Sequence, residues 1–274
     1  MKLGYQTNCW GGVVGHPGGV TSVKDSFYLA NGSTREALED IGDVGYQGYE
    51  IFDGNLMEYE NKKDELLQLM EDQSLKLIGG YTAGNFIYDE ILDEELLKVE
   101  KIASFTSELG AEHLVIGGGA VRSSGINDND CKKLGEALNQ IIKIAEKYNL
   151  IASYHPHLGS IVETNKQTAE LIKYTDINLC PDTAHLQAAG SSPVEFSKTF
   201  KDRIKYVHLK DFNAGEFLPL GEGSQDLKGV LKALEDINYD GWITVELDSY
   251  DNPKEGSQLS KDYLMKNLYK ETSV

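Results

Sequence analysis

The chain has 274 residues, 40% apolar and 26% charged, enough to bury one large α/β domain or two small ones. Its 44 acidic against 26 basic residues leave a formal charge of −18, which argues against a surface built to neutralise nucleic-acid phosphates. No run approaches the ~20 apolar residues of a membrane span, and the opening MKLGYQTNCW lacks the apolar stretch of an export signal. Cys9, Cys131 and Cys180 are odd in number and lack CxxC spacing, so reduced thiols in the cytoplasm are expected.

In chain order, apolar or period-2 runs predict strands at Leu3–Asn8, Gly48–Phe52, Lys76–Thr82, His113–Gly117, Ile151–His157, Ile177–Asp182, Lys205–Lys210 and Ile243–Leu247. Amphipathic stretches follow them. STREALEDIGDVG opens on a capping Ser33 or Thr34 and closes on Gly45. NKKDELLQLMEDQ, DEELLKVEKIASFTSELG and DCKKLGEALNQIIKIAEKYN repeat apolar residues every three or four positions, and NKQTAELIKYT, SPVEFSKTF, DLKGVLKALEDI and SQLSKDYLMKNLYK complete eight helices. Eight βα units without a break in composition predict a single-domain (β/α)8 barrel over residues 1–274, with a doubly wound open sheet as the rival. No GxGxxG follows the first strand, and the GGG of 117–119 lacks the Lys-Ser/Thr of a phosphate loop, so it reads as a tight turn. Residues 10–33 form the longest connection, expected to be a lid or binding loop with Trp10 an apolar wall for a sugar, or else a solvated insertion.

Chelating side chains recur at the carboxyl ends of the last four strands: His155, Asp182, His208 and Glu246. In a parallel barrel those ends share one mouth, where imidazole and carboxylate together hold a divalent cation. A lone strand histidine is usually a satisfied core residue. His155 and His157 flank Pro156 in register at a strand end, which points to ligation or substrate contact instead. Asp182 has a competing role as cap of the next helix, where His185 follows within a turn. His208 and Lys210 share a strand face; the lysine suits either a substrate clamp or a salt bridge. Glu246, in a strand expected to be buried, must be neutral, ion-paired or metal-bound, while Glu50 reads as substrate ligand or structural ion pair.

The ordered set HPHLGSIVET, PDTAHL, HLKD, LGEG and GWITVELD resembles the xylose isomerase-like TIM barrels, the sugar isomerase/epimerase superfamily, and is most similar to its inosose dehydratase branch. The resemblance implies a metal held by a Glu, an Asp, a His and a Glu from strands 5 to 8. Asp182, His208 and Glu246 match the last three, and His155 stands where the first Glu would be. It also implies a substrate contact or support of the metal for His185, a substrate contact for Glu222, a sugar or cyclitol substrate, a role in carbohydrate metabolism such as inositol catabolism, and homo-oligomers. Two histidines with two carboxylates suit Mn²⁺, Co²⁺, Zn²⁺ or Fe²⁺ over Mg²⁺. With one base carboxylate lost at position 155, elimination of water fits: Glu246 or Lys210 removes a proton α to a carbonyl, and His157 or His185 protonates the departing hydroxide. A ketose isomerase or epimerase is the alternative, then a non-catalytic sugar-binding barrel; a repair endonuclease conflicts with the acidity. The loops FNAGEFLPLGEGS and DSYDNPKEGS are acidic, so an unphosphorylated substrate is expected.

Overall fold

A computed structural model describes residues 1–11, 20–21 and 27–268. Eight parallel strands form one sheet: β1 (Lys2–Gln6), β2 (Gly48–Phe52), β3 (Lys76–Gly84), β4 (His113–Gly118), β5 (Ile151–Tyr154), β6 (Asn178–Leu179), β7 (Val207–Leu209) and β8 (Trp242–Val245). Their order is β6-β5-β4-β3-β2-β1-β8-β7. The two edges meet through isolated parallel bridges, Leu179 to Ile204 and Asp182 to His208. The backbone hydrogen bond from His208 to the Pro181 carbonyl, 3.0 Å, ties that seam. The predicted single-domain (β/α)8 TIM barrel is the fold.

Strands β5 and β6 are shorter than their apolar runs because Pro156 and Pro181 have no N–H to donate to a neighbouring strand. The residues beyond them keep an extended course toward the mouth, so shortening does not displace the site. The predicted helices form with their expected signals. Ser33 accepts from the Glu36 N–H and Gly45 closes that helix at φ 86°, while Thr164 and Gln167 make a capping box. Two short helices, Asp53–Met57 and Thr183–Ala188, escaped the periodicity because each spans under two turns. The last helix starts earlier than expected, at Pro253, whose fixed φ suits a first helical position.

Apolar side chains fill the space between sheet and helices, while Ile78, Val115, Cys180, Tyr206 and Trp242 pack together as a separate cluster. The GGG segment is a tight turn: Gly118 has φ 110°, and a Cβ there would meet the Gly84 carbonyl at 2.0 Å. Of the expected lid, residues 12–19 and 22–26 lie outside the described residues. Its returning end is held by side chains after β2. Asp53 accepts from the Tyr28 N–H at 2.6 Å, and Asn55 exchanges two hydrogen bonds of 2.8 Å with the Ala30 backbone.

Candidate metal centre and active site

The carboxyl ends of the strands surround a cavity of about 340 Å³. His155, His157 and His185 line one side of it, and Glu246 and Asp248 another. Asp182, His208 and Lys210 lie beneath, with no exposure.

Asp182 divides its two oxygens between tasks. Oδ1 caps the helix Thr183–Ala188, accepting from the N–H groups of Ala184 and His185 at 2.8 and 2.9 Å. Oδ2 is buried without a hydrogen-bond partner. Helix cap and ligand were rival expectations for this residue; the geometry lets it serve as both. Burial pushes its carboxyl up to about 7, against the pull of Lys210.

His208 stands between two carboxylates. Its Nε2 is 2.9 Å from Glu50 Oε2 and its Nδ1 is 2.7 Å from Glu246 Oε2. Glu50 is fully buried, and its other oxygen accepts from Gln6 Nε2 at 2.7 Å. Its carboxylate therefore orients His208 and does not reach the cavity, so the ion-pair role expected for Glu50 fits its place and the substrate role does not. Burial drives the His208 imidazole down, but Cys180, Glu50 and Glu246 outweigh it and hold the pKa well above the usual histidine range.

Lys210 is buried beneath the Phe217 ring, 4.2 Å from its centroid. Its Nζ is 3.1 Å from Glu246 Oε1 and bonds Asp248 Oδ1. Desolvation would strip its proton, yet Asp248, Glu246 and Asp182 hold its pKa far above the ordinary lysine value. A lysine so held stays protonated at neutral pH and is no proton acceptor. Burial acts oppositely on Glu246, raising it, but Lys210 and His208 bring its carboxyl well below the usual range. Asn8 Nδ2 adds a hydrogen bond of 3.3 Å.

The three cavity histidines are neutral, each lowered first by desolvation. His157 Nδ1 lies 2.6 Å from the Leu158 carbonyl, which fixes the proton there and leaves Nε2 as acceptor.

The candidate ligands do not gather as the four strand ends predicted. One ligand atom each of Asp182, His185 and Glu246 lies within 4.8 Å of the others, so His185 stands with the two carboxylates in place of His155. His155 instead groups with Cys180 and His208, and with His157 and His185. Trp10 is buried, donates Nε1–H to Asp40 at 2.9 Å and packs edge-on against Tyr5; it does not line the cavity. Tyr28, Phe52 and Tyr81 form the aromatic wall instead, their rings 5.4 to 5.8 Å apart. Glu222 is exposed and away from the cavity lining. Its LGEG loop folds onto buried Asp211, which accepts from the Gly221 and Gly223 N–H groups at 2.9 and 3.0 Å.

Sequence reasoning missed Asp53, which holds the Tyr28 backbone at the wall, and Asn55, which holds that of Ala30. The signal was present in FDGN, polar residues at a buried strand end like those of the later strands. It also missed Cys180, which reads as one more apolar residue in INLC.

Comparison with known proteins agrees with this architecture. The profile of the xylose isomerase-like TIM barrel family matches residues 38–267. Inosose dehydratases of Clostridium beijerinckii and Clostridium botulinum are 25% and 26% identical, the alignments covering 84% of this chain and 88% of each relative. The probable 3-DHS dehydratase AsbF of Bacillus anthracis superposes with a TM-score of 0.78 at 15% identity, over 99% of this chain and all of that one. D-psicose 3-epimerase of Clostridium cellulolyticum H10 gives 0.79 at 16%, covering 98% and 99%. The IOLI protein, solved with a zinc atom, gives 0.78 at 20% over the full length of both chains. At those identities the structural neighbours attest the fold, while the matched family and the dehydratase relatives carry the classification. The chain belongs to the xylose isomerase-like TIM barrel family and is an enzyme of that family.

Proposed function

We propose that the protein is a divalent-metal-dependent lyase that eliminates water from a cyclitol or sugar ketone, the activity named in its inosose dehydratase relatives. The observation that carries this reading is the group Asp182, His185 and Glu246 at one cavity, with the neutral imidazole of His157 on its wall.

The side chains fit a resident ion. Asp182 Oδ2 and His185 Nδ1 are buried with no hydrogen-bond partner, which is costly unless a cation completes them, and His208 Nδ1 faces Glu246 Oε2 at 2.7 Å. Asp182, Glu246 and His208 would hold the ion, with His185 in reach. Such a mixed donor set suits Mn²⁺, Co²⁺, Zn²⁺ or Fe²⁺ over Mg²⁺. Bound there, such an ion would supply Lewis-acid polarisation of the substrate carbonyl.

His157 takes the proton. Its Nε2 accepts the α-hydrogen, the C–H pair becomes the new C=C bond, and the bond to the β-hydroxyl breaks. The departing hydroxide leaves as water with a proton returned by the His157 imidazolium. Glu246 is the weaker base, since Lys210 and His208 stabilise its anion. Lys210 keeps Glu246 and Asp248 in place as anions. Tyr28, Phe52 and Tyr81 pack on the C–H face of the ring. The cavity has no Lys or Arg among its described lining residues, which supports an unphosphorylated polyol. Among the described residues no helix is long and apolar enough to cross a membrane. A cytoplasmic place in inositol catabolism, as a homo-oligomer, accords with this reading.

A ketose epimerase is the second reading, favoured by Asp248, a second cavity carboxylate beside Glu246 that could return a proton. The test is direct: metal-loaded protein is given an inosose, and water loss is followed by absorbance of the enone. In parallel, free ketoses are incubated in deuterated water. Exchange and epimer formation without dehydration would overturn the lyase assignment.

A further inference from the structure

The mouth holds a donor group that the reaction above does not need as a set. One ligand nitrogen each of His155, His157 and His185 lies within 4.8 Å of the others, with no carboxylate among them. The His157 and His185 ring centres are 3.8 Å apart and those of His155 and His185 5.8 Å. His157 Nδ1 faces the Leu158 carbonyl, so its Nε2 lone pair is available, oriented in the way carbonyl partners orient metal-binding imidazoles. Nδ1 of His155 and Nδ1 of His185 are buried without partners. All three residues line the cavity, so an ion arriving there keeps an open coordination position. The neighbouring trio His155, Cys180 and His208 is the poorer candidate, because it draws on His208, the imidazole already assigned to the carboxylate group.

We propose that His155, His157 and His185 form a second cation site, taking a late divalent transition ion such as Zn²⁺ or Co²⁺, whose occupation removes His157 from proton transfer. Three imidazoles with an open fourth position are a recognised zinc donor set, whereas Mg²⁺ demands oxygen ligands and is refused. His208 remains the imidazole of the carboxylate group when His185 turns to the second ion. Excess zinc is therefore an inhibitor. The inhibitory consequence rests on the proposed role of His157; the binding does not.

The experiment titrates metal-free protein with Zn²⁺ and with Co²⁺ against a chromophoric chelator and counts ions per chain. The wild type takes two equivalents, the second at least tenfold weaker. H157Q takes one; E246Q loses the tighter ion and keeps the weaker. With Co²⁺, the second equivalent brings the intense visible bands of a tetrahedral nitrogen-ligated ion, absent in H157Q. Should H157Q fail to fold, H155Q gives the same readout. Saturation of the wild type at one equivalent, or two equivalents retained by H157Q, overturns the site. Two equivalents without inhibition by excess zinc leave the site standing and refute the role of His157 in proton transfer.

Discussion

His208 and His113 both pack against the Tyr206 ring, 5.4 and 4.8 Å from its centre, and their surroundings push them in opposite directions. Both are buried. At the mouth, His208 has Glu50 and Glu246 on its nitrogens, and its proton is held well past the ordinary range. At the start of β4, His113 stacks on Tyr206, its Nδ1 has no hydrogen-bond partner, and burial lowers its pKa to about 4. At His113 burial thus prevails over the nearby Glu112 carboxylate. At His208, Lys210 and Glu246 burial is overruled by charge, and that cluster adjoins the cavity where chemistry is expected.

The sharpest way to break this comparison is Glu246→Gln. Loss of the mouth carboxylate should lower the elimination rate about ten-thousandfold, roughly 5 kcal/mol of transition-state stabilisation, with the tighter metal equivalent lost. Elemental analysis alongside turnover checks it; full metal content with wild-type rate would detach the cluster from catalysis. Next comes Lys210→Met, which leaves Glu246 and Asp248 facing each other without their buried cation. Urea unfolding of metal-free protein should show a loss of roughly 4 kcal/mol. An unchanged midpoint would mean that the lysine contributes nothing net.

His113→Phe sharpens the other side. Because folding depresses the His113 pKa from 6.5 to about 4, the neutral ring is the folded form. Its stability is intact above pH 6.5 and declines as pH falls toward 4, by roughly 3 kcal/mol at most. The wild type should lose that amount over this window relative to the variant in parallel unfolding curves. Parallel slopes would remove the contrast between the two histidines. The smallest effect is expected of Tyr28→Ala at the aromatic wall: KM rising about tenfold, near 1.4 kcal/mol, with kcat and metal content kept. A loss in kcat alone would assign Tyr28 to the chemistry rather than to binding.

Much of the fold was legible because period-2 runs and amphipathic stretches alternate eight times, a local signal that tertiary packing reinforces. Strand ends were less so: apolar runs continue through Pro156 and Pro181, where pairing stops for want of an N–H. The residue types of the site were visible at the strand ends, but their partnership was not. Whether His155 or His185 stands with the carboxylates depends on the helix that Asp182 caps, a helix too short to show a period. Trp10 misled for a similar reason. Loop position suggested a sugar wall, whereas its indole N–H found Asp40 across the barrel's outer layer.

The joint between β6 and β7 has one further consequence. Only isolated bridges span it, and one of them pairs Asp182 with His208. An ion gripped by those two side chains is a stitch across the thinnest part of the wall. Chelation should then let the cylinder gape along that line, and the amides of Leu179, Lys205 and His208, which bond across it, should trade hydrogen for deuterium before those of β2, β3 and β4.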